Sequence, residues 1–188
     1  MRSLAAALLL AALPVQALDV AGVKVPDTFS LDGKTLALNG AGLRTKTFLK
    51  VKVYVAALYV TERSKDPAAI VALDAPKAIR LTLLRNVDRS TFVESLRDGV
   101  AANSPGQSQA LAPKLKQLED AMPADVKEGQ VITVSYVPGT GTTVAVDGGA
   151  STTIAGKDFA DALFRVWLGP KPTDGGLEDL KEALLAGK

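Results

Sequence analysis

In the stretch GAGLRTKTFLKVKVYVAALYV, residues 40–60, one guanidinium and one phenol are placed where they could do chemistry. Arg44 follows Gly40-Ala41-Gly42, whose two glycines let a backbone bend and approach another segment closely. Tyr54 comes ten residues later. Side chains alternate between the faces of a strand. The even positions Arg44, Lys46, Lys50, Lys52 and Tyr54 therefore define a basic face, and Leu43, Leu49, Val51, Val53 and Val55 an apolar one. In an unbroken register Arg44 and Tyr54 share a face; a one-residue bulge undoes that. A guanidinium with a hydroxyl beside it is a clamp for a carboxylate or a phenolate. The plainer reading of Arg44 is a surface or structural arginine. Lys46, Lys50 and Lys52 read equally well as a basic patch or as residues guarding the wet face of a sheet.

Other chemistries are limited by what the chain lacks. It has no His and no Cys, which removes a Ser-His-Asp triad, a thiol nucleophile and the usual zinc ligand sets. No side chain titrates unperturbed near neutral pH, so general-base catalysis is disfavoured, while catalysis by positioning and electrostatics stays open. Pro138-Gly139-Thr140-Gly141 lacks the spacing and the lysine of a phosphate-binding P-loop and has strands on both sides. It reads as a hairpin turn, and so does Asp147-Gly148-Gly149. No metal and no cofactor are expected.

Periodicity and turn signals give the elements that must hold Arg44 and Tyr54. They predict a short strand over 18–26, then a hairpin over 29–39 turning at Asp32-Gly33. A break follows at Gly40-Ala41-Gly42, then strands over 43–47 and 51–61 with a bend near 48–50. A short helix starts at Asp66-Pro67, and a strand covers 78–85. Helices cover 88–102 and 107–121, strands 131–137, 142–147 and 151–154, and helices 158–168 and 177–185. The order of strands, helices, strands and helices predicts an α+β fold with an antiparallel-rich sheet.

The 188 residues, 47% hydrophobic, suffice for one domain with a sizeable core. The start of the chain is expected to lie outside it. Met1-Arg2-Ser3 is followed by an apolar run over 4–13 and by Pro14-Val15-Gln16-Ala17, with small residues at Val15 and Ala17. This is the pattern of a secretory signal cleaved after Ala17, leaving a domain over 18–188. The apolar run is well short of the roughly 20 residues of a spanning helix, so no stable membrane anchor is expected. Lys+Arg number 22 and Asp+Glu 20, a balance that gives no sign of a nucleic-acid partner. The lack of Cys and of a glycosylation sequon favours a secreted protein of a bacterial periplasm.

Gly40-Ala41-Gly42-Leu43-Arg44 followed by Lys52-Val53-Tyr54-Val55-Ala56-Ala57-Leu58-Tyr59-Val60 resembles the core of the chalcone isomerase-like family. The tail agrees: Phe159 to Gly169, then Pro172 and the segment 177–185, is similar to that family's closing helix and Leu-Gly-x-x-Pro turn. The resemblance covers essentially the whole chain after the signal. It implies an open-faced β-sandwich, a large antiparallel sheet with a layer of helices and a ligand cleft between them. Chalcone isomerases add a phenolate to an enone within one molecule, and an arginine steers and stabilises the charge.

On this resemblance the catalytic arginine falls at Arg44. The isomerase threonine falls at Tyr54, the tyrosine and asparagine at about Thr91 and Asp98, and the threonine or serine of the closing helix at Val166. One of five positions is kept, which puts isomerase chemistry in doubt. In the family's fatty-acid-binding branch an arginine and a tyrosine hold the carboxylate, and Arg44 and Tyr54 match that pair. The resemblance thus implies a non-catalytic binder of a small apolar acid or phenolic ligand, with Arg44, Tyr54, Thr91, Asp98 and Val166 as candidate ligand-binding residues. The alternatives are an intramolecular lyase acting on a chalcone-like or other enone, with Arg44 catalytic, and a scaffold in which Arg44 makes an internal ion pair.

Overall fold

The computed structural model describes residues 17–46, 49–147, 149 and 151–187. Residues 1–16 of the expected signal segment 1–17 lie outside the described residues, as does Phe48 of the expected bend; Ala17 lies in a strand, and Leu49 and Lys50 form a turn. The chain opens with a hairpin, β1 (Ala17–Val20) and β2 (Val23–Pro26). It continues through β3 (Thr28–Leu31), β4 (Lys34–Lys46) and β5 (Val51–Val60) to the short helix α1 (Pro67–Ala72). After β6 (Lys77–Leu83) and the two-residue β7 (Val87–Asp88) come α2 (Arg89–Asn103) and α3 (Ser108–Ala121). Then follow β8 (Asp125–Val126), β9 (Val131–Val137), β10 (Gly141–Val146) and β11 (Ser151–Ile154), and last α4 (Lys157–Leu168) and α5 (Gly175–Leu185).

Seven strands form one antiparallel sheet in the order β11-β10-β9-β6-β5-β4-β3. This is the α+β, antiparallel-sheet architecture that the sequence predicts. The helices cover one face of the sheet, and the β1–β2 hairpin covers the other over β4–β6. Ala56, Leu58, Val60, Ile79, Leu81, Ile132 and Val134 face the helices and form the main core with Phe92, Leu96, Phe159, Leu163 and Trp167. On the other face Leu36, Leu38, Val55, Ala57 and Tyr59 are covered by Val25, with Leu18, Val20 and Val23 of the β1–β2 hairpin packed against them.

Two strand expectations are corrected. The segment 18–26 is a hairpin, turned by Ala21 and Gly22 with φ of 52° and 88°. Asp32 and Gly33, with φ of 50° and 70°, turn β3 into β4 as predicted. Gly40-Ala41-Gly42 is no break: all three lie inside the 13-residue β4. The irregularity comes one residue earlier. Asn39 is the extra residue of a bulge between Leu38 and Gly40. It is buried, donates from Nδ2 to the Leu184 carbonyl (2.8 Å) and accepts from the Ser64 N–H (2.8 Å). The glycines serve close approach. A Cβ on Gly40 would stand 2.4 Å from the Ala183 carbonyl oxygen, and one on Gly42 2.5 Å from the Ala183 Cβ, so α5 lies almost on the β4 backbone.

The helices carry readable ends. Asp88 caps α2, accepting from the Thr91 N–H (2.8 Å), and its bonds from Ser90 and Thr91 hold its carboxyl down at about 2. Lys77 closes the C-terminal end of α1. Its buried Nζ donates to the carbonyls of Ile70, Val71 and Leu73 at 3.0, 2.6 and 2.8 Å. Packing of α2 on α4 depends on Gly99, where a Cβ would meet Val166 Cγ1 at 2.7 Å.

Candidate functional site

Arg44 and Tyr54 stand directly opposite one another across β4 and β5. In an antiparallel pair that puts both side chains on one face. The face is the helix side, because Ala56 and Leu58, two and four residues past Tyr54, lie in the main core. A second bulge follows at once. The register shifts between Arg44 and Thr45, so that Thr45 pairs with Lys52 and Lys46 with Val51. Val53 is the extra residue. Lys46 stays on the Arg44 side, while Lys52 moves to the face of Thr45. The continuous basic face expected from the alternation is therefore broken beyond Tyr54.

Arg44 is 7% exposed and already paired. Its Nη1 and Nη2 donate to Asp174 Oδ1 and Oδ2 at 2.6 and 2.7 Å, and Nη1 also donates to the Thr45 carbonyl. Asp174 precedes α5 and accepts from the Leu177 N–H at 3.0 Å, so one carboxylate both caps the helix and fixes the guanidinium. Burial works against the Arg44 charge, but Asp174 and Tyr54 outweigh it and hold the guanidinium above its ordinary pKa. Arg44 in turn draws the Asp174 carboxyl below its usual value, against the cost of burial. Burial raises the Tyr54 phenol, opposed by the Trp167 hydrogen bond and by the Arg44 charge. The Trp167 Nε1–H donates to the Tyr54 oxygen at 3.0 Å.

A cavity of about 60 Å³ lies against this pair, walled by Leu83, Val87, Thr91 and Phe92. It shares Lys46, Val53, Val87 and Thr91 with a groove of about 240 Å³ that continues past Val51 to Arg85 and Asp88. Another hollow, of about 260 Å³, lies at the far end of β5 beside α1 and Lys77. The three Lys77 hydrogen bonds to helix carbonyls give that end a structural role. Among the described residues no group of three or more His, Cys, Asp or Glu is placed to hold a metal ion, and no helix is long and apolar enough to cross a membrane.

The sequence model of the chalcone isomerase-like family matches residues 17–186. The chain belongs to the chalcone isomerase-like family. Among solved structures this family member is similar to a fatty-acid binding protein of Arabidopsis thaliana, with a TM-score of 0.66 and 17% identity over 87% of this chain and 92% of that one. At that identity the likeness shows the fold. No curated protein matches the sequence.

Against the family's positions, the structure brings together Arg44, Tyr54 and Thr91 and leaves two residues out. The Thr91 hydroxyl faces Asp88 Oδ2 at 2.8 Å rather than Arg44. Asp98 is exposed on the outer side of α2 and does not line the cavity. Val166 is buried in the core against Gly99, away from the cavity wall. Residue types alone did not single out Asp174 or Trp167, the two direct partners of the pair. An Asp just before Gly175-Gly176 is a helix-capping signal, but nothing local shows that it meets an arginine 130 residues away.

Proposed function

We propose that this chain binds a small apolar acid, of the fatty-acid type, without transforming it. The carboxylate is received at Arg44 and Tyr54, and the tail runs between the sheet and α2 toward the groove at Lys46 and Arg85. One observation carries the reading: a nearly buried guanidinium stands opposite a phenol at a cavity whose wall includes Val53, Leu83, Val87 and Phe92 beside Lys46, Thr91 and Ser95. A fatty-acid binding protein among the structural relatives supports the ligand class. About 60 Å³ is far less than the roughly 300–1,000 Å³ of small-molecule sites, so in this reading the ligand parts α2 from the sheet as it enters. It also competes with Asp174 for Arg44. The isomerase alternative draws less support, since Thr91 spends its hydroxyl on Asp88 and neither Asp98 nor Val166 lines the cavity.

A second reading is favoured by the completeness of the Arg44–Asp174 pair: Arg44 is then an internal latch and nothing else. Trp167 separates the two. It is the one tryptophan of the chain and is bonded to Tyr54, so its fluorescence reports on the occupancy of the phenol. Titration of delipidated protein with saturated fatty acids should give a saturable change. Tyr54→Phe should weaken the affinity about fivefold, near 1 kcal/mol, through one lost hydrogen bond. No saturable change at any chain length would leave only the latch. We also infer export through residues 1–17. The protein isolated from its own host should then begin at Leu18, and an intact N-terminus would end that inference.

A further inference from the structure

The end of the sheet that carries the β4–β5 turn has a surface that the crevice does not explain. Leu49 is 70% exposed on that turn. Lys46, Lys50 and Lys52 are exposed around it. The Leu84 N–H donates to the Val53 carbonyl at 2.9 Å, which continues the pairing past β6 and brings exposed Arg85 alongside. Lys46 and Arg85 line one groove together with Val51 and Val53.

Acids stand near these cations, but most are engaged elsewhere. Asp174, within electrostatic reach of Lys46, is bonded to Arg44, and Asp125, across from Asp88, is held by Lys127. Asp88 is turned into the start of α2 by its bonds to Ser90 and Thr91. Asp179 reaches Lys50 only at 3.4 Å, between two side chains that are both mostly exposed. Among the described residues Lys46, Lys52 and Arg85 form no close ion pair, and they share this end of the sheet with exposed Leu49.

A leucine left in water on a turn gains when an apolar medium takes it up. Cations on long apolar stems favour a medium whose rim is anionic and whose interior is greasy. A bilayer with anionic headgroups offers both within one side-chain length. We propose that this end of the molecule docks reversibly on an anionic lipid surface. Leu49 enters the headgroup region, and Lys46, Lys50, Lys52 and Arg85 meet the lipid phosphates. Docking does not depend on what the crevice holds, although it sets the groove between Lys46 and Arg85 against the membrane.

The test is co-flotation of the chain from Leu18 onward, the start expected after cleavage, with vesicles. Phosphatidylcholine alone is compared with phosphatidylcholine containing phosphatidylglycerol, and no fatty acid is added. The protein should float with the anionic vesicles at low salt, stay behind with the neutral ones, and be released as salt rises. Leu49→Ser should cut the bound fraction about tenfold, and Lys52→Glu about fivefold or more, with unchanged thermal melting. No flotation with anionic vesicles at low salt overturns the proposal, and so does flotation that both substitutions leave unchanged. Binding that Lys52→Glu weakens and Leu49→Ser does not overturns the insertion of the leucine.

Discussion

Asp174→Asn should tighten fatty-acid binding about tenfold while making the protein less stable. Asp174 is the group already occupying Arg44 through two short charge-assisted bonds, and an incoming carboxylate must replace it. The amide keeps an oxygen for the Leu177 N–H and so keeps the cap on α5. It loses the negative charge that competes with the ligand, a difference of about 1.4 kcal/mol if half of a charge-assisted bond's worth is recovered. The same change should lower folding stability by about 1–2 kcal/mol, because Arg44 is left nearly buried without a full counter-charge. Titration followed through Trp167 and urea melts read the two effects separately. Affinity that is unchanged or weaker in the variant would show that the ligand, if any, does not use Arg44.

The stability cost carries a pH signature. The folded Asp174 carboxyl lies below its ordinary 3.8, so the unfolded chain takes up this proton first as acid is added. The pair's contribution is complete above the ordinary carboxylate range and is lost as pH falls through the lower folded value. The stability gap between wild type and Asp174→Asn should therefore narrow as pH drops below about 4.

Gly40→Ala should destabilise the fold by about 3 kcal/mol or more. The new methyl would lie 2.4 Å from the Ala183 carbonyl oxygen and 2.5 Å from that of Leu184. Both are backbone atoms of α5, and they cannot turn aside as a side chain would. Asn39 beside it already holds the Leu184 carbonyl, so relieving the clash means lifting the helix and breaking that bond. Hydrogen exchange should show α5 losing protection ahead of the sheet. A melting curve within 1 °C of wild type, roughly the change that a few tenths of a kcal/mol would make, would refute the close-approach account of this glycine.

The parts of the fold that were legible in the sequence are those set by neighbours along the chain. Phe92, Leu96 and Val100 mark α2 by spacing, and Asp32-Gly33 marks its turn by the backbone it permits. The Ala21-Gly22 turn was hidden because alanine is not a residue that advertises a positive φ. Gly40 and Gly42 were visible as unusual, but a strand glycine signals either a bend or a near neighbour. The neighbour here, Ala183, is remote in sequence. Arg44 and Tyr54 share a face although the turn and the Val53 bulge lie between them along the chain; the bulge sets Tyr54, not Val53, opposite Arg44, and it turns Lys52 to the other face, neither of which the alternation showed. Asp98 and Val166 were placed by likeness to other proteins, and the local spacing of α2 and α4 gave no independent check on where those side chains lead.

The ion pair that ties Arg44 to Asp174 also orders events during synthesis. The strand side emerges from the ribosome 130 residues before the carboxylate that completes it. Until then the trough over Gly40 and Gly42 has no cover, and a buried-to-be cation has no partner. Neither the pair nor the cover that α5 gives β4 can therefore form before nearly all of the chain has been made.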